Sequence, residues 1–153
     1  MAKAQSPFLI VNPKSYLYGK ESLELAKAAD QVAKDTGLQI YFTCPYADIR
    51  MIKENTTDII VCAQSMDPLV PGRGMGHVLP ESLKEAGAEA LFLNHAENPK
   101  TVSDLYATIK RAKEHDHSCM CRLNRRSQSS CLHGPRHRTG RANRLDRNRP
   151  GGR

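Results

Sequence analysis

The chain has 153 residues, of which 39% are apolar and 25% are charged, a composition typical of one soluble globular domain. Its first residues contain no apolar stretch long enough for a signal-peptide core or a membrane span, so we expect a cytoplasmic protein without a membrane partner. The formal charge of +7 comes from the end of the chain, since residues 1–117 carry −2 and residues 118–153 carry +9.

Up to about His115, short strand-type runs alternate with helix-type patterns, which predicts repeated βα units and a parallel sheet. Gly37 and Gly87 are placed to end two of the helices, and Asn98 and Pro99 to begin the last one as N-cap and first helical residue. The first helix is expected to bury Leu25, Ala28, Ala29 and Val32. The predicted strands are 7–11, 38–43, 58–62 and 90–93, and the predicted helices are 20–36, 47–55, 80–86 and one from residue 98.

The pattern changes at the end of the chain, where sustained apolar periodicity stops. Residues 118–153 contain ten Arg, no Lys, one acidic residue and no aromatic residue. Such a segment cannot bury enough surface to offset its ordering entropy. We therefore predict a folded α/β part over residues 7–116 and a disordered, arginine-rich tail over residues 117–153.

Polar residues cluster where the predicted strands end, which is the edge at which βα folds place their active sites. Taken singly, a lysine at such a position is more often solvated, and a histidine is as often structural as functional. The glycines at 72, 74 and 76 do not have the spacing of a nucleotide-binding loop. The candidates are Asn12 and Lys14, then Gln64 and Asp67, which we expect to shape a turn, and then Asn94, His95 and Glu97.

Three motifs in order, VNPKSY, CAQSMDPLVPGRGMGHVLPESLKEAG and LFLNHAENP, resemble the triose-phosphate isomerase family between about Pro7 and Asp116. The sequence NHAEN is closer to that of archaeal or divergent bacterial members of the family. The resemblance implies the N-terminal half of a TIM (β/α)8 barrel, with four βα units. It also implies the interconversion of glyceraldehyde 3-phosphate and dihydroxyacetone phosphate in glycolysis and gluconeogenesis, without a cofactor or a metal.

By the same resemblance, Asn12 and Lys14 help to hold a small phosphorylated sugar, and His95 polarises the substrate oxygens as a neutral electrophile. Lys14 and His95 are thus the catalytic candidates, and Glu97 is a supporting carboxylate. The long loop after the third strand is implied to reach into a partner subunit, so an intact homologue is expected to be a homo-oligomer.

The resemblance also implies parts that the sequence does not show. The family's base is a Glu in an EP motif, followed by a GTG-like loop, and neither occurs after His117. The codons for residues 133–150, read one base out of frame, permit such a sequence. Our hypothesis is a frameshift near residues 115–118, and we expect this chain to be inactive as an isomerase.

Two other interpretations concern the tail. Its arginines could neutralise nucleic-acid phosphates, but without aromatic residues to stack on bases only nonspecific binding follows, so a nucleic-acid partner is disfavoured. Cys119, Cys121, Cys131 and His133 could ligate zinc, although their spacing matches no common structural zinc site. The remaining cysteines, Cys44 and Cys62, are expected to be buried reduced thiols.

Overall fold

The computed structural model describes residues 6–121, which form a parallel five-stranded sheet in the order β1-β2-β3-β4-β5. Each strand pairs with the one before it in the chain, and helices connect them, as in part of a TIM barrel. This confirms the predicted fold class. The elements are β1 Phe8–Val11, α1 Gly19–Thr36, β2 Gln39–Cys44, a 3₁₀ turn Tyr46–Asp48, α2 Ile49–Glu54, β3 Ile60–Ala63, α3 Pro80–Ala86, β4 Ala90–Leu93, α4 Val102–Glu114 and β5 Ser118–Cys121.

The two faces of the sheet carry different side chains because successive residues of a strand point to opposite sides. The helices cover the outer face, where Phe42, Val61 and Leu91 belong to the large core that also contains Ala26, Ile52 and Leu105 from the helices. The concave face has a smaller cluster, which contains Tyr41, Ile60, Cys62, Ala90 and the partly buried Met120.

Helix α3 begins and ends at the residues that the sequence predicts. Pro80 occupies its first turn, where a missing N–H costs nothing, and Gly87 ends it with a φ of 98°. The Gly87 N–H donates to the carbonyl of Lys84 at 3.0 Å. A Cβ at position 87 would lie 2.6 Å from the Lys53 side chain, so both the backbone conformation and the available space favour glycine here.

The predicted buried face of α1 was wrong for two of its four residues, since Ala28 and Val32 are exposed, whereas Ala29 is buried and Leu25 is partly buried against the core. The helix buries Ser22, Ala26, Ala29 and Ala33, whereas Val32 is 46% exposed. Small side chains on the sheet-facing side allow the helix backbone to approach the strands closely, and this packing outweighs the simple preference for the larger apolar residues.

The predicted start of α4 was also wrong. The helix begins at Val102, and its N-cap is Thr101, whose Oγ1 accepts a hydrogen bond from the Asp104 N–H at 3.1 Å. Asn98 instead lies in the preceding turn, where its N–H donates to the carbonyl of His95 at 3.0 Å. The Asn98-Pro99 pair therefore shapes the loop that carries His95.

Strand β5 lies inside the segment that the sequence assigned to the tail. Ser118–Cys121 pair in parallel with Ala90–Leu93, so the βα fold continues past residue 116. The prediction did not treat the short run Cys-Met-Cys as a strand. The frameshift near residues 115–118 stays a hypothesis.

The thiols of Cys44 and Cys62 are free and buried, as predicted. Burial raises the pKa of Cys44 to about 12 and raises that of Cys62 well above its ordinary value. Both side chains therefore stay protonated at neutral pH and act as small apolar groups in the packing.

Asp30 of α1 fixes the turn that leads into β3, and we expect Asp30→Ala to reduce the free energy of unfolding by about 1–2 kcal/mol. Its carboxylate accepts hydrogen bonds from the backbone N–H groups of Thr57, Asp58 and Ile59 at 2.7–3.1 Å. Partial burial alone would raise its pKa, but these bonds outweigh that effect and lower the pKa below 3.8.

Because the pKa of Asp30 is lower in the folded state, its stabilising effect is complete above pH 3.8 and is lost as the pH falls below that value. Urea unfolding at neutral pH measures the effect. Asp35→Ala is the matched control, since among the described residues the Asp35 carboxylate accepts a hydrogen bond from Gln31 on the helix surface, and its loss should cost less than about 0.5 kcal/mol. Equal costs for the two variants would contradict this account of Asp30.

Candidate active site at the carboxyl ends of the strands

The loop after β1 places Lys14 at the carboxyl edge of the sheet and holds its backbone from two sides. The Lys14 N–H donates to Oδ1 of Asn12 at 3.0 Å, and Nε2 of Gln64 donates to the carbonyl of Lys14 at 2.7 Å. Lys14 has a φ of 56°, a left-handed conformation that costs a non-glycine residue about 1–3 kcal/mol. The surrounding contacts maintain this strained backbone, which is a common feature of functional loops.

Lys14 and Glu97 form an ion pair that joins the loop after β1 to the loop after β4. Nζ of Lys14 lies 2.5 Å from Oε1 of Glu97. This hydrogen bond is the main reason that the pKa of Lys14 is raised and that of Glu97 is lowered. The pair lines a shallow open depression of about 240 Å³ together with Ser15 and Tyr16. A cation is therefore held at the rim of a solvent-accessible hollow.

His95 lies beside this pair with a defined orientation. Its Nδ1 accepts a hydrogen bond from the Glu97 N–H at 3.2 Å and lies 3.9 Å from Oε2 of the same residue. Since Nδ1 is an acceptor, the single proton of the neutral ring is on Nε2. The imidazole is 22% exposed, so it can present this N–H to a ligand.

Asn94 and Lys100 support the loop that carries His95 and Glu97. Asn94 has a φ of 57°, and its Oδ1 accepts a hydrogen bond from the Lys100 N–H at 3.0 Å. The Lys100 side chain is only 10% exposed, and its Nζ lies 3.8 Å from Oδ1 of Asp67. The loops after β3 and β4 are thereby connected.

Asp67 closes the long loop after β3, as its predicted turn role requires. Its N–H donates to the carbonyl of Val78, while its carboxylate accepts from the Val78 N–H at 2.9 Å and lies 3.1 Å from Nδ1 of His77. Partial burial opposes ionisation of Asp67, but the Val78 and His77 bonds prevail and lower its pKa.

Arg111 of α4 also binds the long loop after β3. Its guanidinium donates twice to the carbonyl of Leu69 and pairs with the carboxylate of Glu81. The base of the loop is therefore fixed, whereas Val70 and Met75 are exposed.

The structure brings Asn12, Lys14, His95 and Glu97 together at one edge. Sequence reasoning missed that Gln64 binds the carbonyl of Lys14, because a contact between residues 50 apart in the chain leaves no local signal. It also missed the loop contacts of Lys100 and Arg111, although an Arg or Lys on the core side of a helix or loop could have suggested them.

Most residues of the nucleic-acid and zinc sites considered for the tail lie outside the described part of the chain. Cys131, His133 and all ten arginines of the tail lie outside residues 6–121. Cys119 lies in β5 and packs against the outer-face core. Within the described residues, no three His, Cys, Asp or Glu side chains form a group that could hold a metal ion. None of the helices described combines the length and the apolar character that a membrane crossing requires.

Comparisons with known proteins agree with the resemblance. A family model described as Triosephosphate isomerase matches residues 7–126. The triosephosphate isomerase of Methanocaldococcus jannaschii is 36% identical over 107 residues, which are 69% of this chain and 48% of the relative. That of Methanobacterium bryantii is 39% identical over 110 residues, 71% of this chain and 48% of the relative.

A solved structure gives the same fold. The crystal structure of triosephosphate isomerase from Bartonella henselae matches with a TM-score of 0.66 and 19% identity, covering 75% of this chain and 50% of that one. The chain thus spans about half the length of the curated relatives that it matches.

Proposed function

This chain belongs to the triosephosphate isomerase family, and on that premise we propose that its carboxyl edge binds a triose phosphate through Asn12, Lys14 and His95. The observation that carries the proposal is the convergence of Lys14, Glu97 and His95 from two separate loops around one open hollow. Glyceraldehyde 3-phosphate and dihydroxyacetone phosphate are the proposed ligands.

Lys14 supplies the positive charge for the anionic ligand. Its ammonium group is exposed on the rim of the hollow and is fixed by Glu97. Oδ1 of Asn12 accepts a hydrogen bond from the Lys14 N–H, so Asn12 positions the lysine in addition to its proposed contact with the ligand. A compact ammonium ion suits a phosphate or a developing enediolate, because it places a full charge within hydrogen-bond distance.

His95 supplies a hydrogen-bond donor for the substrate oxygens. Its Nε2–H is the free donor of the neutral ring because Nδ1 accepts from the Glu97 backbone. In the family's reaction a carboxylate moves a proton between adjacent carbon atoms through an enediol, while the imidazole moves protons between the two oxygen atoms.

We propose that this chain binds the triose phosphate but does not turn it over. Among the described residues, Glu97 is the carboxylate next to Lys14 and His95, and the ammonium of Lys14 occupies it. Asp67 is held in the same way by Val78 and His77. Neither carboxylate is therefore free to act as the base that abstracts a carbon-bound proton.

The test is a calorimetric titration with dihydroxyacetone phosphate at 0.15 M salt, compared with dihydroxyacetone, which lacks the phosphate. We expect the phosphorylated sugar to bind at least about tenfold more tightly, because a charged hydrogen bond contributes an effect of that size. A coupled assay of glyceraldehyde 3-phosphate conversion should show no rate above the buffer rate. Equal affinities would contradict the binding proposal, and measurable turnover would contradict the proposed absence of a base.

For association, we propose that the exposed tip of the loop over residues 64–79 is the surface through which an intact homologue contacts a partner subunit. Asp67 and Arg111 fix the base of this loop, and Val70 and Met75 are exposed at its tip. Such an arrangement presents apolar side chains with little loss of entropy on binding.

A further inference from the structure

Residues 94–100 form the loop after β4, which we call the His95 loop, and its two ends are joined to each other. Oδ1 of Asn94 accepts a hydrogen bond from the Lys100 N–H at 3.0 Å, and Asn94 has the left-handed φ of 57°. Within the loop, Nδ1 of His95 accepts a hydrogen bond from the Glu97 N–H at 3.2 Å. The orientation of the imidazole therefore depends on the conformation of this closed loop.

The side chain of Lys100 attaches the His95 loop to the long loop after β3. Its Nζ lies 3.8 Å from Oδ1 of Asp67, and the lysine side chain is only 10% exposed. The other carboxylate oxygen of Asp67 accepts a hydrogen bond from the Val78 N–H at 2.9 Å and lies 3.1 Å from Nδ1 of His77, both in the long loop. Asp67 thus uses one oxygen for each of the two loops and joins them.

The His95 loop has a second attachment, the ion pair between Lys14 and Glu97, whose side chains are 39% and 61% exposed. Ion pairs between exposed side chains contribute little, whereas an ammonium group that is largely removed from water depends on its partner. The pair of Lys100 and Asp67 is the more shielded of the two, so its loss should disturb the loop more. Lys14 is also the proposed phosphate ligand, and a bound anion would compete with Glu97 for its ammonium group. Lys100 provides an attachment that does not change when a ligand binds.

We propose that Lys100 is a positioning residue for His95. Its ion pair with Asp67 fixes the His95 loop, so that the imidazole keeps its Nε2–H free for the ligand. This inference rests on the proposed binding of a triose phosphate at the same edge. The ammonium group of Lys100 is shielded from solvent and faces Asp67, so Lys100 acts through the loop and does not touch the ligand. Groups that contact a ligand are held precisely when a supporting set of contacts holds them in turn.

The ¹⁵N signals of the His95 ring in the ligand-free full chain test this proposal, with Lys100→Met as the test variant and Lys110→Met as the control. Both substitutions remove one lysine charge, but Lys110 is exposed on helix α4. In the unchanged protein the neutral ring should carry its proton on Nε2, because Nδ1 is an acceptor. We expect Lys100→Met to move the two ring nitrogen signals towards an average of both tautomers, and Lys110→Met to leave them unchanged.

Calorimetry then measures the consequence for the ligand. Lys100→Met should weaken the binding of dihydroxyacetone phosphate about threefold to tenfold, and Lys110→Met less than about twofold. Lys100→Arg keeps a positive charge that can pair with Asp67 and should restore both the ring signals and the affinity. If the unchanged protein does not prefer dihydroxyacetone phosphate over dihydroxyacetone, the proposed function fails, whereas the ring signals of the ligand-free chain still decide the role of Lys100.

Asp67→Asn removes the charge from the other side of the same ion pair, and it replaces Lys100→Met if that variant has altered circular dichroism. Its amide oxygen can still accept from the Val78 N–H, so the His95 ring signals should change as they do in Lys100→Met. The double variant should change them no more than either single variant does. The proposal is overturned by ring signals that stay the same in Lys100→Met and Asp67→Asn, that change equally in Lys110→Met, or that Lys100→Arg does not restore.

Discussion

Lys14→Met is expected to weaken the binding of dihydroxyacetone phosphate by about tenfold to a hundredfold. The substitution removes the ammonium group at the rim of the hollow and leaves Glu97, whose carboxylate would then repel the phosphate. Binding of dihydroxyacetone should change little, because this sugar carries no charge. Calorimetry at fixed salt measures both affinities.

The matched control for Lys14→Met is Lys34→Met, which removes the same charge from the last turn of α1, before β2 begins. It leaves the carboxyl edge intact and should keep the affinity within twofold. The control is needed because the arginines of residues 122–153 attract any phosphate by general electrostatics. If Lys14→Met and Lys34→Met have equal effects, Lys14 does not contact the ligand.

Phe42→Ala should reduce the free energy of unfolding by about 3–5 kcal/mol, which is most of the stability of a small domain. Phe42 is fully buried on the outer face of β2, where it packs in the large core under the helices. Removing the ring leaves a cavity that the neighbouring strands and helices cannot fill without moving. Urea unfolding followed by circular dichroism measures the loss.

Phe8→Ala is the matched control, since it removes the same side chain from the exposed edge strand. Phe8 is 41% exposed and contacts the ring of Tyr41 edge to face at 5.6 Å. We expect a cost of about 1–2 kcal/mol, because partial exposure and one ring contact give a smaller loss. The comparison is made at concentrations at which the protein is monomeric. Equal costs would contradict the description of β1 as an edge.

The order of strands and helices could be predicted from the sequence because each βα unit carries local signals. Pro80 and Gly87 mark both ends of α3, and the run over residues 90–93 has the apolar character of a buried strand. Burial could not be predicted in the same way. The pattern of β1 is that of an inner strand, but its exposure depends on which strands lie beside it in space.

The candidate site was predicted in part. Asn12, Lys14, His95 and Glu97 follow strand ends and carry the family resemblance, and the structure brings them together. Their catalytic roles stay predictions. The contacts that fix the site come from residues distant in sequence, such as the bond from Gln64 to the carbonyl of Lys14.

The frameshift hypothesis for codons near residues 115–118 also stays a prediction. Sequencing the gene from the codon for Lys110 past the codon for Arg153 checks it. The hypothesis requires that one missing or extra base restores the EP and GTG motifs in frame, and a gene that cannot encode them contradicts it.

The most direct test of the binding proposal is an NMR titration of the ¹⁵N-labelled full chain with dihydroxyacetone phosphate. The result that we predict is saturable shifts of the Asn12, Lys14 and Glu97 amides and of the His95 imidazole, absent with dihydroxyacetone. Shifts confined to the arginine-rich residues 122–153, with the carboxyl edge unchanged, would contradict the proposal and show general attraction of phosphate instead.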